Sequence, residues 1–285
     1  MKVYGIIGHP IKHTMSPAMH NAAFKALGID ATYVPFEVSA ADLKAAIKSL
    51  ISLGVCGFNV TIPHKAACME FLDKIDESAQ IIGAVNTVNI KKGKLIGYNT
   101  DGRGFLRSLK DDLGITPKEK NFFITGAGGA ARAVVSVLVH NGANSVVIVD
   151  KIKEKAVELA DKYSGSGLVK WLDYKQDWAP YIKKADLLIN ASPVGMKDSD
   201  PSPVNVNLLH RNLSVFDLIY NKHTKLVKAA KAKGINACGG FGMLLYQGVF
   251  AFEIWTGKKA PVAIMCNALI AQVSLRGPRT VRWWG

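Results

Sequence analysis

The stretch "TGAGGAARA", residues 125–133, restricts what this chain can fold into more than any other. It carries Gly126-Ala127-Gly128-Gly129-Ala130-Ala131, a G-x-G-x-x-G/A turn, between the apolar run "NFFIT" and the helix-like "AARAVVSVLVHNG". Strand, glycine turn and helix in that order open a βαβ unit. Its helix N-terminus offers unpaired N–H groups and a positive dipole end to a pyrophosphate. The first glycine permits the tight turn, and the second lets the backbone approach the anion. "SVVIVD", "KEKAVELADKY", "ADLLINAS" and "LSVFDLIY" continue as strand, helix, strand and strand, which predicts a doubly wound sheet.

A dinucleotide site also needs a residue at the end of the next strand, about 20 positions on, to read the adenosine ribose. That residue is Asp150. A carboxylate there accepts from the 2′-OH of NAD and repels the 2′-phosphate of NADP, whereas Lys151, Lys153 and Lys155 could neutralise that phosphate. Asp150 could instead cap the following helix. Side-chain chemistry alone leaves the cofactor open.

Before residue 102 a separate α/β pattern runs. "KVYGIIGHP", "ATYVPFEV" and "GFNVTIP" read as strands, with helices over "SPAMHNAAFKALG", where Ser16 is the expected N-cap and Pro17 the first position, and "AADLKAAIKSLISLG". "DESAQIIG" follows as a helix, and "AVNTVNI" and "KLIGYN" flank the turn "KKGK". Thr14, Ser16, Thr61, Lys65, Asn86 and Asn99-Thr100-Asp101 stand at strand ends or helix starts, which converge on one edge of such a sheet. Each also has a plainer reading: Ser16 and Asp101 as helix caps, Thr61 as a strand former, Asn86 as a turn residue.

Bulk composition narrows the class. Of 285 residues, 49% are apolar and 20% charged, enough material for a sizeable core. No run of about 18 apolar residues occurs and the N-terminus lacks a signal-peptide layout, so the expected setting is cytoplasmic, without a membrane partner. The charge of +14 would suit nucleic acid, but its excess sits in residues 102–237, spread over helix-like segments without interleaved aromatics. A solvated face is the expectation, with no nucleic-acid partner. Cys56, Cys68, Cys238 and Cys266 have no C-x-x-C spacing and read as buried thiols, and the histidines show no metal-site spacing, so no metal is expected.

Taken together, "GHPIKHTMSPAMHN", "GFNVTIPHK", "GAVNT", "GYNTDGRGF", "GAGGAARA", "NASPVGM", "DLIY" and "GGFGMLLYQG" resemble the shikimate dehydrogenase family, with quinate/shikimate dehydrogenases as near relatives. The resemblance runs in order over residues 3–270. It implies an α/β substrate-binding and catalytic domain over 1–101, a Rossmann-like doubly wound dinucleotide-binding domain over 102–237, and C-terminal helices over 238–275 returning to the substrate domain. Residues 276–285 read as a disordered tail or an expression scar.

The implied activity is the reversible, NADPH-dependent reduction of 3-dehydroshikimate to shikimate in aromatic amino-acid biosynthesis, by a monomer or homodimer. By the family's pattern, Thr14 and Ser16 would hold the substrate carboxylate, and Thr61, Asn86, Asp101 and Gln247 its ring hydroxyls, with Tyr220 alongside. Lys65 and Asp101 would form the catalytic pair. Gly126, Ala127, Gly128, Gly129 and Ala130 would bind the pyrophosphate, with Asp150, Lys151 and Lys155 at the adenosine end. Residues 190–196, among them Ala191 and Ser192, would flank the nicotinamide half with Leu218 and Gly240, and Glu77 would approach the cofactor.

Three positions depart from the family's pattern. Thr14 stands where serine is usual, "DKIKEK" replaces an Asn-Arg-Thr opening associated with NADP, and "YNKHT" lacks a proline after the tyrosine. The first two favour a rival, an NAD-dependent quinate/shikimate dehydrogenase. A non-catalytic dinucleotide-binding module is the rival from another class, and it predicts missing catalytic side chains, whereas Lys65 and Asp101 are both present.

Overall fold

The structure, a computed structural model, describes residues 1–276. The chain forms two compact units: Met1–Gly104 with the segment from Leu245 onward, and Phe105–Leu244.

The first unit contains β1 (Lys2–Gly8), α1 (Ser16–Ala26), β2 (Ala31–Glu37), α2 (Leu43–Ser52), β3 (Val55–Val60), β4 (Lys74–Ile75), α3 (Glu77–Ile82), β5 (Thr87–Lys91) and β6 (Lys94–Tyr98). The sheet order is β2-β1-β3-β5-β6-β4. β1 runs parallel to β2 and β3, β5 antiparallel to both β3 and β6, and β4 parallel to β6. Asn59 pairs with Thr87, and Thr87 with Tyr98. That register brings the exit of β3, the entry of β5 and the exit of β6 to one edge.

Helix α4 (Asp101–Leu113) starts in this unit, and α9 (Phe241–Thr256) and α10 (Val262–Arg276) close the described chain. α10 packs on α1. Tyr4 stacks on Phe24 and on Trp255, whose indole Nε1–H donates to the Val88 carbonyl at 2.9 Å. The C-terminal helices therefore return to the first unit, as the fold class read from the sequence requires. α10 runs to Arg276, the first residue of the expected tail, and residues 277–285 lie outside the described residues.

The second unit contains β7 (Asn121–Thr125), α5 (Gly129–His140), β8 (Ser145–Val149), α6 (Lys153–Asp161), β9 (Val169–Leu172), α7 (Ala179–Ile182), β10 (Leu187–Asn190), β11 (Ser214–Asp217), α8 (Lys225–Ala232) and β12 (Ala237–Gly239). Its strands are all parallel, in the order β9-β8-β7-β10-β11-β12. This is the doubly wound dinucleotide-binding order, with its reversal point between β7 and β10. Alternation along the strands builds two cores: Phe122, Ile124, Leu187 and Ile189 meet α5, while Phe123, Leu188 and Val215 meet α8. The sequence reading had no counterpart for β4, β9, β12, α7 or α8. The strands are too short to display a period, and α8 is lysine-rich, held by Thr224 as its N-cap.

Ser16 is not the N-cap of α1. The helix begins on it, with Met15 in the cap position, and the Ser16 N–H is taken by Thr14 Oγ1 at 3.3 Å. Of the cysteines only Cys68 is buried; Cys56, Cys238 and Cys266 are half-buried. Among the described residues no helix is long and apolar enough to cross a membrane, and no group of His, Cys, Asp or Glu is placed to hold a metal.

Candidate active site

At the shared edge of the first sheet, Lys65 Nζ donates to Asp101 Oδ2 at 2.6 Å, with side chains 15% and 7% exposed. The other oxygen, Oδ1, accepts from Asn86 Nδ2 at 2.9 Å. Asp101 is therefore not the cap of α4. Asn99 Oδ1 accepts the N–H groups of Asp101 and Gly102, at 3.0 and 3.3 Å, which leaves the Asp101 carboxylate to Lys65 and Asn86. The backbone places Lys65 directly, since its carbonyl accepts at 2.8 Å from the N–H of Val85, the residue before Asn86.

Behind this triplet lies a buried polar layer, of which the sequence reading gathered Asn86 and Thr100 but missed Asn59, Thr87 and Tyr33. Asn86 Oδ1 accepts from Thr100 N–H at 2.8 Å, and Asn86 Nδ2 also donates to Thr100 Oγ1 at 3.0 Å. Asn59 Nδ2 donates to the Asn86 carbonyl and to Thr87 Oγ1, both at 3.0 Å, and Asn59 Oδ1 accepts from the Tyr33 hydroxyl at 2.7 Å. Asn59, Asn86, Thr87 and Thr100 are all buried, so each must find partners inside the protein. The available signal was a polar residue inside the apolar run "GFNV": an asparagine in a buried strand needs a built partner set.

His64 has a structural role. It is buried, and since a carbonyl only accepts, Nε2–H donates to the Val38 carbonyl at 2.7 Å, tying the exit of β3 to the exit of β2. Thr61 follows β3, its N–H donating to the Ile7 carbonyl at 2.9 Å. Ser16 is buried and its side chain faces the Tyr33 hydroxyl. Thr14 and Gln247 are half-buried, the latter on α9, and Glu77 is exposed in the first turn of α3.

In the second unit, the glycine turn follows β7. Gly126 has φ +101°, and a Cβ there would lie 2.7 Å from the backbone of Ala191 and Ser192, so the turn after β7 and the segment after β10 are pressed together. Gly240 is equally closed, because a Cβ would collide with the Leu218 carbonyl oxygen. Gly128 is the opposite case: it is exposed, and a Cβ there would meet nothing within 4 Å. Ala127 is buried, and Gly129 and Ala130 are half-buried at the start of α5.

Asp150, at the end of β8, does not cap α6, whose cap position is Ile152. Its Oδ2 accepts from Ala127 N–H at 2.7 Å and its Oδ1 from Ile152 N–H at 2.8 Å, so the carboxylate braces the glycine turn. Lys151, Lys153 and Lys155 follow it, exposed, with the Lys153 ammonium 5.1 Å from the Trp171 ring centre. Tyr220 is half-buried after β11. Asn190, Asp217 and Thr224 form a second buried polar group, of which Asp217 and Thr224 were not singled out from the sequence.

Known proteins resemble this chain over nearly its whole length. Family profiles described as the shikimate dehydrogenase substrate binding domain, shikimate / quinate 5-dehydrogenase, and the shikimate 5′-dehydrogenase C-terminal domain match residues 6–88, 109–195 and 240–270. The shikimate dehydrogenase (NADP(+)) of Methanopyrus kandleri is 45% identical over 275 residues, covering 94% of each chain. A crystal structure of a shikimate dehydrogenase in complex with NADP+ superposes with a TM-score of 0.89 at 44% identity, covering 96% of each chain. A Thermus thermophilus shikimate 5-dehydrogenase, in complex with NADP(H) and shikimate, gives 0.86 at 34% identity, covering 95% of this chain and 100% of that one. The resemblance read from eight ordered motifs is thereby borne out, and the chain belongs to the shikimate dehydrogenase family.

Proposed function

We propose that the protein catalyses the reversible reduction of 3-dehydroshikimate to shikimate with NADPH, a cytoplasmic step toward aromatic amino acids. The observation that carries this reading is the pair of half-buried Lys65 and buried Asp101, closed at 2.6 Å and braced by Asn86, at an edge where three strand ends meet. A non-catalytic module has no use for an ammonium held on a buried carboxylate at such an edge, where an unmatched charge is costly.

The second unit fits the cofactor, because the backbone around Gly128 lies open to an anion beside the N-terminus of α5. Gly126, Ala127, Gly128, Gly129 and Ala130 would hold the pyrophosphate. Lys151 and Lys155 would face a 2′-phosphate, while Ala191, Ser192, Leu218 and Gly240 would line the nicotinamide side. When bound, NADPH supplies the hydride that the ketone carbon receives.

Lys65 does the rest of the chemistry. Its ammonium offsets the negative charge that gathers on the carbonyl oxygen and hands that oxygen a proton as the C–O single bond forms. Asp101 and Asn86 hold the ammonium in place and accept or donate to ring hydroxyls, with Thr61 and Gln247. Thr14 and Ser16 would take the substrate carboxylate, with Tyr220 and Glu77 at the margins of substrate and cofactor. The protein would act alone or as a homodimer, without nucleic acid, since lysines of the second unit such as those of α6 are solvated.

Paired steady-state assays test the reading: NADPH and NADH, each with 3-dehydroshikimate and 3-dehydroquinate. The expected outcome is highest kcat/KM for NADPH with 3-dehydroshikimate. Preference for NADH with 3-dehydroquinate would favour the quinate enzyme, the reading that the negative charge of Asp150 supports. Absence of turnover in all four would leave only dinucleotide binding.

A further inference from the structure

The sheet of the second unit has its reversal point between β7 and β10, and in such sheets a dinucleotide lies across the crevice outside the strand C-termini. Asp150 marks the adenosine half, at the end of β8. The other half of the cofactor therefore falls to the ends of β10 and β11, where the chain continues as residues 190–196 and 218–224. Beyond Asn190, the last residue of β10, neither segment is helix or strand. Something else must set their shape.

Asp217, the last residue of β11, is fully buried and touches both. Its Oδ1 accepts from Asn190 Nδ2 at 2.9 Å and from Ile219 N–H at 3.1 Å, and its Oδ2 from the Thr224 hydroxyl at 2.6 Å. Asn190 carries the connection onward. Its Oδ1 accepts from Ser192 N–H at 3.1 Å, Ser192 Oγ at 2.7 Å and Thr125 Oγ1 at 3.0 Å, while its Nδ2 also donates to the Val194 carbonyl at 3.1 Å. Thr125 immediately precedes the glycine turn. The two segments also touch, since a Cβ on Gly195 would lie 3.3 Å from Ile219 Cδ1.

We propose that Asp217 is a positioning residue: its carboxylate locks the segments after β10 and β11 into one surface, on which the nicotinamide half of the cofactor lies. The inference rests on the functional reading above. Asp217 faces no solvent and makes no contact with reactants; it acts through Asn190 and the backbone it anchors. Its three partners are neutral, so the lock depends on hydrogen-bond geometry, and an amide of the same shape can replace it, accepting from Asn190 and Ile219 and donating to Thr224 Oγ1.

The test compares Asp217→Ala and Asp217→Asn with wild type, using adenosine 2′,5′-bisphosphate as a probe of the adenosine half alone. In Asp217→Ala, kcat should fall roughly ten- to a hundredfold, the scale of a small misplacement. Its affinity for the bisphosphate should stay within about twofold of wild type, because the glycine turn and Asp150 are intact. Asp217→Asn should recover most of the lost turnover. Equal weakening of bisphosphate binding, an unchanged kcat in the alanine variant, or an asparagine variant as poor as alanine would each overturn the proposal. If Asp217→Ala does not fold, Thr224→Val removes the donor to Asp217 Oδ2 together with the acceptor that caps α8, and should lower kcat about threefold with bisphosphate affinity kept, on the scale of one hydrogen bond of the lock; no change in kcat would overturn the proposal as well. Wild-type turnover in the same assays separates this result from failure of the functional reading, which would remove activity from every protein tested.

Discussion

Asp101 and Asp217 are both buried aspartates at the exit of a strand, one in each unit, and they keep different company. Asp101 receives an ammonium and an amide N–H; Asp217 receives two N–H groups and a hydroxyl, none of them charged. Burial accordingly pushes the Asp217 carboxyl up to about 6, because loss of hydration outweighs its three donors. The cation beside Asp101 is the one proposed to move charge during the reaction. Neutral donors around a carboxylate are a device for fixing backbone. The same residue type serves two ends, and its neighbours decide which.

The sharpest way to break this contrast is at the cation. Lys65→Ala should lower kcat by roughly two orders of magnitude or more, the range of general acid–base contributions, with a smaller change in substrate affinity. Asp217→Ala should act more weakly and on the cofactor side alone. If Lys65→Ala retains near-wild-type turnover in a steady-state assay, the division between a reacting and a positioning aspartate fails.

Next in size is the layer behind Asp101. Asn59→Ala removes the acceptor of the Tyr33 hydroxyl and a donor from the Asn86 carbonyl and Thr87 Oγ1, all in the buried interior. Unfolding free energy from urea titration should fall by about 2 kcal/mol, since orphaned buried groups cost about 1–3 kcal/mol. Tyr33→Phe removes only the hydroxyl and should cost about half as much. A neutral Asn59→Ala would mean that the layer does not hold the edge together.

Acid separates the units in sign. His20 on α1 is fully buried, stacked 4.4 Å from Tyr33, and burial lowers its pKa to about 3 from 6.5. Below about pH 6.5 the unfolded chain takes up a proton that the folded chain refuses, so His20 subtracts stability as pH falls from 6.5 to 3, by at most about 1.4 kcal/mol per unit. Asp217 does the reverse. Its folded pKa lies above the ordinary 3.8, so between about pH 6 and 3.8 the folded chain binds the extra proton and gains stability on acidification. Wild-type stability minus that of His20→Leu should therefore shrink toward acid, and wild type minus Asp217→Asn should grow. Equal slopes in both differences would show that neither burial matters to titration.

The two units were not equally legible in the sequence. In the second, the glycine turn, the alternating strands and Asp150 follow from local chemistry, and even the strand order follows from the class once β7 is located. The Asp217 lock was hidden, because Asn190 is distant in sequence and meets Asp217 only through parallel pairing of β10 with β11, while Thr224 closes on Asp217 across the loop after β11. In the first unit, Lys65, Asn86 and Asp101 could be gathered at one edge by strand ends, but an antiparallel register that sets Asn59 against Thr87 has no local signature. The Ser16 cap was misread, and the cap alternatives weighed for Asp101 and Asp150 fail for the same reason. Ser16, Asp101 and Asp150 are good cap residues by type, yet Thr14, Asn99 and the N–H groups of Ala127 and Ile152 decide what they do.

Asp150 is the intermediate case, and the smallest expected effect lies there. It is half-buried, has no lysine within a salt bridge among the described residues, and accepts two backbone N–H groups, from Ala127 and Ile152. Those donors spread its charge but do not cancel it, so it still opposes a 2′-phosphate while remaining an acceptor for a 2′-OH. Asp150→Asn keeps one acceptor oxygen and removes the charge. The ratio of kcat/KM for NADPH to that for NADH should rise about fivefold, a change near 1 kcal/mol, as expected for one partly screened charge near the surface. The two ratios measured at low and at 0.5 M salt carry a further check, because a charge effect shrinks on screening, at about 0.5 M to within a few ångströms, whereas a geometric one does not. A ratio that falls instead would mean that Asp150 acts only as the brace of the glycine turn, and would move it from the side of Asp101 to the side of Asp217.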